Sequence, residues 1–334
     1  MAFLLLGGLS FVLCHSFVIR HLSFVIIFIR VIEIPAPDFD LQKTLDSGQV
    51  FHWERTGHGF VGTIGNSAVS VEQRAGVLNV CRCDGKLDGL KPSSFIRAVS
   101  NYFALDHPLA EICDSFPRDP VMKAARDFCR GLRIIRQPKW ECLATFICSS
   151  MKQVAQIRQI SLGLRKRFGE QRSVGGHLVY TFPPAQRIAR ASESALRECK
   201  VGYRVKNLRA TALLVASSQV DLEAWSPLSD AELRKRLCAL PGAGPKIANC
   251  VMLFAYERLR AFPIDVWIER VLRQQYFPRR RKMTAQRLQQ FSETYFGEHG
   301  GYAQQYLFHH ARIGRGSDRA IEVNRRYLGR DERR

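Results

Sequence analysis

Between residues 48 and 83 the apolar positions fall into short runs and alternations, at 48–53, 60–64, 68–72 and 77–83. Gly57-His58-Gly59, Gly65-Asn66-Ser67 and Ala75-Gly76 separate them. Period-two alternation punctuated by turn residues predicts strands joined by tight turns, an antiparallel meander. From Pro92 onward the apolar spacing becomes helical. Residues 93–102, 121–131, 140–150, 154–168, 193–198, 204–217 and 230–240 carry it, as do 265–276, 284–296 and 302–312. The predicted fold class is α+β, with a small N-terminal antiparallel sheet packed on a larger, all-helical region. The expected organisation is an extension over 1–33, a sheet domain over 34–134, a helical domain over 135–313 and a tail over 314–334.

Residues 1–33 fit neither half. Arg20, Arg30 and Glu33 are their only formal charges, and the rest is largely Leu, Phe, Val and Ile. The first 19 residues approach the length of a membrane span. No basic stretch precedes the apolar run and no small-residue cleavage site follows it, so a secretory signal does not fit. Three readings stand: a membrane anchor, an apolar strand pair added to the core, or an extension translated from a wrongly chosen start codon. The last is preferred, because the ordered pattern begins at about Ile34. The Arg-rich tail reads as frayed.

Composition narrows the partners. Of 334 residues, 50 are Lys or Arg and 30 Asp or Glu, a formal charge of +20. Such a balance favours polyanions, either nucleic acid or an anionic membrane surface. The apolar fraction of 46% supplies a core and excludes a disordered chain. Ten cysteines are scattered, with no CxxC and none beyond Cys250. That spacing argues against a zinc site or iron–sulfur cluster and for buried free thiols in a reducing compartment. Arg279-Arg280-Arg281-Lys282 between two helices is read evenly as a solvated loop or a phosphate contact.

The densest chemical signal lies between Ser229 and Leu272. Ser229-Asp230-Ala231-Glu232 has the form of a capping box and starts a helix with Leu233, Leu237 and Leu240 on its apolar stripe. Leu240-Pro241-Gly242-Ala243-Gly244-Pro245-Lys246 breaks it, and Pro245 suits the first turn of a second helix. Backbone amides at such a hairpin form a phosphate site indifferent to sequence. An ordinary Gly turn between two helices reads equally well from the glycines alone. Lys246 shifts that balance. In the first turn of a helix the macrodipole disfavours a cation, so a lysine there gains no stability and is a better amine nucleophile. Asp265, in Phe262-Pro263-Ile264-Asp265-Val266-Trp267, is both an N-cap and a carboxylate able to face positive charge near Lys246.

From Leu240 to Asp265 the chain resembles the helix-hairpin-helix, Gly/Pro, Asp motif of base-excision DNA glycosylases. Further residues resemble the 8-oxoguanine DNA glycosylases: Leu45-Asp46-Ser47-Gly48-Gln49-Val50-Phe51-His52-Trp53, Arg136-Gln137-Pro138, Glu141-Cys142-Leu143 and Phe146-Ile147-Cys148-Ser149-Ser150. Gly202-Tyr203-Arg204 and Ala303-Gln304 with Leu307-Phe308 follow in order. The resemblance runs from about residue 36 to 313. It implies a bifunctional glycosylase and abasic-site lyase that flips oxidised guanine out of duplex DNA. Lys246 would attack the sugar C1′ and form a Schiff base, and Asp265 would stabilise the oxocarbenium-like sugar. Cys250 and Phe308 would sandwich the purine, Gln304 would read its Watson–Crick edge, and the Gly48 carbonyl would accept the N7 hydrogen that only the oxidised base carries. Tyr203 would wedge into the duplex and Arg204 would contact the orphaned cytosine. Gly242 and Gly244 would lie against phosphate.

Two departures matter. Residues 151–156, Met-Lys-Gln-Val-Ala-Gln, replace an Asn-rich tract and an Arg used on the opposite cytosine, so strict selectivity for cytosine does not carry over. Trp267 stands where a polar residue usually faces phosphate. The expected partner is duplex DNA containing oxidised purine, met by a monomer wherever the genome lies, in a nucleoid or a nucleus. No cofactor is expected, although hairpin carbonyls could hold a structural cation. The alternatives are a glycosylase for another damaged purine and a non-catalytic helix-hairpin-helix DNA-binding protein.

Overall fold

A computed structural model describes residues 31–82, 91–278 and 283–314. The apolar stretch up to residue 30, the basic cluster at 279–282 and the tail from 315 lie outside the described residues. Five antiparallel strands, β1 (Val31–Pro35), β2 (Glu54–Thr56), β3 (Gly59–Ile64), β4 (Ser67–Arg74) and β5 (Val77–Arg82), form one sheet in the order β1-β5-β4-β3-β2. The meander is thus present, but its composition differs from expectation. β1 starts three residues before the boundary drawn at 34, because Ile32 and Ile34 already point inward while Val31, Glu33 and Pro35 point out. The apolar residues preceding it hide that alternation in the sequence.

One sheet face is Val69, Val71, Leu78 and Val80, all fully buried, with Val71 directly opposite Val80. It packs on Phe95, Val99 and Phe103. These belong to, or directly follow, α2 (Pro92–Tyr102), which comes after the short α1 (Leu41–Asp46). Helices α3 (Leu109–Asp114), α4 (Pro120–Phe128), α5 (Lys139–Cys148), α6 (Val154–Phe168), α7 (Ala185–Arg190), α8 (Glu193–Glu198) and α9 (Val205–Ala216) follow. Then come α10 (Asp230–Cys238), α11 (Pro245–Ala255), α12 (Val266–Val271), α13 (Ala285–Tyr295) and a helix over 300–314, here α14. Their core centres on α5 and α11, each buried on nearly every side, as expected for helices surrounded by others.

Two expectations fail instructively. The larger region is not all-helical: β6 (Gln171–Val174) and β7 (His177–Tyr180) form a hairpin whose Val174 and Val179 pack on Val61 and Ala68 of the sheet. The predicted strand at 48–53 has no ladder. It runs buried between sheet and helices, its polar groups met by side chains: Gln49 Nε2 donates to Arg133 O (2.8 Å), Ile135 N–H donates to Gln49 Oε1 (2.7 Å), and Gln137 Nε2 donates to Gln49 O (2.8 Å). Buried backbone must be paired, and here amide side chains do what a neighbouring strand would do.

A buried ionic cluster also joins the halves. Arg165 of α6 pairs with Glu141 of α5 and donates to Thr63 Oγ1 (2.9 Å) and Tyr180 O (3.0 Å), while His52 Nε2 lies 2.9 Å from Thr63 O. Burial, then Arg165, hold the His52 imidazole well below its ordinary range. Burial pushes the Glu141 carboxyl up, against the pull of Arg165.

Candidate active site

Ser229 caps α10 through its hydroxyl, which accepts from Glu232 N–H (3.3 Å). The reciprocal half of the expected capping box is missing, since the Glu232 carboxylate takes Arg236 instead (2.9 Å). The chain then turns at Ala243, whose N–H donates back to Leu240 O (3.0 Å), so this amide does not point outward as expected. Gly242 adopts φ +82°, and a Cβ there would stand 2.8 Å from Asn207 of α9. Thr211 Oγ1 adds a bond to Pro241 O (2.9 Å). Gly242 therefore serves to seat the hairpin on α9. Gly244, exposed and facing open space as the N-cap of α11, is the glycine a phosphate can approach.

That turn sets Lys246 in the first turn of α11. Its Nζ donates to Ser149 Oγ (3.2 Å) at the end of α5 and lies 5.5 Å from the Phe146 ring centre. Asp265 caps α12, accepting from Ile268 N–H (2.9 Å). Burial raises its carboxyl above the usual range, opposed by the Ile268 amide and then by the Lys246 charge. Cys250, one helical turn beyond Lys246, is buried, which pushes its thiol up to about 11 despite Lys246 nearby. It is a neutral thiol at pH 7, an apolar wall. Lys246, Asp265 and Cys250 thus share one electrostatic neighbourhood, as the sequence predicts.

The remaining pocket residues also converge. Helix α14 docks on α11 where Gly301 abuts Leu253, and it grips the end of α1 and the loop after it at three successive residues. Arg312 donates to Asp46 O, Gln305 Nε2 to Ser47 O (3.0 Å), and the Phe308 ring lies on Gly48. Gly48 adopts φ +84°, and a Cβ there would meet Phe308 Cε1 at 3.1 Å and Val154 Cγ2 at 3.4 Å. Gln304, one turn before Phe308 on α14, is buried and its Oε1 has no hydrogen-bond partner. An unpaired buried acceptor is costly and is rarely kept without a use.

Tyr203 is 69% exposed, as a residue that enters a duplex must be. Arg204 is not. Its guanidinium lies 4.1 Å from the Tyr203 ring centre, Nη1 donates to Val201 O (3.2 Å), and Nη2 bonds Ser150 O and Tyr203 Oη. The predicted cytosine contact is therefore not presented. With Nη1 and Nη2 on the Val201 and Ser150 carbonyls, its plane under a ring and its Nε buried without a partner, Arg204 is a brace beneath Tyr203. Trp267 packs against the Arg270 guanidinium, 5.3 Å away, which returns positive charge to the position where a polar residue was missing.

Reading the sequence missed the residues that hold this site. Ser149 stood in the quoted motif without a role. Gln49, Gln305 and Arg312 gave no local signal, because their partners are distant backbone carbonyls and amides. Among the described residues no three His, Cys, Asp or Glu side chains converge as metal ligands would. A cavity of about 510 Å³ opens elsewhere, lined by Phe39, Lys43, Cys113 and Arg126 among others, and includes none of the candidate residues.

Residues 31–143 match the 8-oxoguanine DNA glycosylase N-terminal domain and residues 144–295 the HhH-GPD superfamily of base excision DNA repair proteins. The N-glycosylase/DNA lyase OGG1 of Arabidopsis thaliana is 31% identical over 293 residues, 83% of this chain and 78% of the relative. A probable N-glycosylase/DNA lyase of Methanothermobacter thermautotrophicus is 28% identical, covering 84% of this chain and 96% of the relative. Among solved structures, MBOgg1 with a low-affinity DNA ligand aligns with TM-score 0.78 and 31% identity over 85% of this chain and 98% of that one. The Clostridium acetobutylicum 8-oxoguanine glycosylase/lyase, solved with duplex DNA containing cytosine opposite 8-oxoguanine, aligns with TM-score 0.78 and 28% identity over 86% and 98%.

Proposed function

The chain belongs to the 8-oxoguanine DNA glycosylase family of the helix-hairpin-helix base-excision repair superfamily, and from that membership we infer how its own residues carry out the reaction. It is a bifunctional DNA N-glycosylase and abasic-site lyase acting on 8-oxoguanine in duplex DNA. It works with the genome, in a nucleoid or a nucleus.

Lys246 is the nucleophile. Its lone pair attacks C1′ of the flipped nucleotide while the bond to N9 breaks, its electrons leaving on the base, which takes up a proton. The amine loses a proton and the sugar ring opens to an imine. Loss of a C2′ proton then expels the 3′ phosphate by β-elimination, and water releases the amine. Asp265, a stronger base than an exposed Asp because burial raises its carboxyl, faces the positive sugar in the transition state and helps activate Lys246. Base choice rests on the pocket. Gly48 O takes the N7 hydrogen, Gln304 Oε1 accepts from the Watson–Crick donors, and Cys250 and Phe308 close on the ring. A fixed acceptor rejects a base that cannot donate, because the acceptor is then left buried and unpaired. Tyr203 wedges into the space the base leaves, and Gly244 approaches phosphate. Because residues 151–156 lack the usual arginine and Arg204 is turned inward, selectivity for cytosine opposite the lesion is relaxed.

The observation that carries this reading is the seating of Lys246 in the first turn of α11, its Nζ donating to the buried Ser149 hydroxyl (3.2 Å) beside the Phe146 ring. Borohydride trapping tests it, on duplexes with 8-oxoguanine, guanine or another damaged purine opposite each of the four bases. A covalent adduct should form with 8-oxoguanine opposite more than one base and vanish in Lys246→Gln. Undiminished trapping by that variant would overturn the assignment.

A further inference from the structure

We propose that Ser149 is the positioning residue that holds the Lys246 amine for attack, an inference that rests on Lys246 being the nucleophile. Ser149 ends α5, is buried, and makes two bonds to one atom: its N–H (3.0 Å) and its hydroxyl (2.7 Å) both donate to Phe146 O. With its hydrogen committed there, Oγ offers only lone pairs, and Lys246 Nζ donates to it from 3.2 Å. A neutral primary amine has two hydrogens and one lone pair. Fixing one hydrogen on a buried acceptor confines the lone pair to directions away from Ser149. The Phe146 ring, 5.5 Å from Nζ, closes a second side. One turn of α5 thus forms the back wall of the nucleophile.

The hydroxyl is itself held in place. Lys152 N–H donates to Ser149 O (3.2 Å), and the next carbonyl, Ser150 O, is gripped by the buried Arg204 guanidinium under Tyr203. Met151 then takes φ +53°, a left-handed conformation unusual for a side chain of its kind, which turns the chain away immediately after the site. The exposed aromatic and the amine are therefore braced by one three-residue stretch. Small misplacements of a reacting group cost about 10²-fold in rate, so an anchor of this kind acts on the chemical step rather than on affinity.

The test uses the full-length chain with Ser149→Ala, Ser149→Thr and Lys246→Gln. Single-turnover excision of 8-oxoguanine, borohydride trapping on a preformed abasic duplex, and the dissociation constant for lesion DNA are measured for each. Ser149→Ala should slow excision and trapping alike, by tenfold or more, with the dissociation constant within twofold. Ser149→Thr, which keeps the hydroxyl, should recover most of the rate. If thermal melting shows that Ser149→Thr does not fold, the split in Ser149→Ala decides alone. Wild-type rates in Ser149→Ala, or a loss confined to binding, would overturn the proposal while Lys246→Gln still abolished trapping. Persistent trapping in Lys246→Gln would instead overturn the nucleophile assignment, and this proposal with it.

Discussion

Gly48 and Phe308 are in contact across the pocket: a Cβ on the first would lie 3.1 Å from Cε1 of the second, at a backbone angle of φ +84°. Gly48→Ala is therefore strained twice over. The left-handed backbone alone costs roughly 1–2 kcal/mol, and the methyl group must displace the ring or move the carbonyl. Excision of 8-oxoguanine by Gly48→Ala should fall at least tenfold in single-turnover assays. Trapping on preformed abasic duplex, where no base has to be read, should fall much less. Equal losses on both substrates would mean that the Gly48 loop does not read the base.

Gln304 presents the opposite trade. Its Oε1 is buried without a partner, so in the free protein it is a liability. Removing such a group relieves a cost of about 1–3 kcal/mol, set against the packing lost. Gln304→Leu should melt no lower than the parent, within a degree or two, or slightly higher. Its excision rate should nevertheless drop tenfold or more. A variant that melts well below the parent and keeps its selectivity would reverse the argument.

Gln49→Ala removes the partner of Ile135 N–H and of Arg133 O together, and both backbone groups are buried. The expected loss is about 2–6 kcal/mol, at about 1–3 per orphaned group. Denaturant titration measures it directly, and a loss below about 0.5 kcal/mol would show that water or a shift of the chain replaces the amide.

His309 makes stability depend on pH. Burial, helped by the Arg312 charge, holds its imidazole down at about 4, against an ordinary 6.5. Between these values the unfolded chain binds more protons than the folded one, so stability rises with pH. The contribution is complete above about 6.5 and is lost progressively as pH falls toward 4. Melting temperature should drop between pH 7.5 and pH 5, and His309→Gln should flatten that drop. Some slope should persist, because His52 is lowered too. An unchanged slope in the variant would exclude His309 as a source.

The hairpin was legible in the sequence because its chemistry is local. Glycines, a proline and Lys246 follow one another, and Asp265 caps the helix that its own next residues form. The pocket was legible only through resemblance, since Gly48 and Phe308, far apart in the chain, meet through tertiary structure. What failed was local pattern overridden by distant partners. Residues 48–53 alternate like a strand but are bonded by Gln49 and Gln137 instead of a neighbour. Arg204 reads as a free cation until Ser150 O and Val201 O are seen to occupy it. β6 and β7 are four residues each, too short for alternation to stand out.

The amide clamps at Gln49 and Gln137 bear on how such a chain can diverge. The loop that would read the base is encoded with the sheet, yet its coordinates are dictated by residues 133–137 and by α14. Exchanging the sheet half for that of a relative would bring in a reader fitted to someone else's frame. The position of that loop is thus set jointly by the segment at 133–137 and by α14, and a change in either is felt at Gly48.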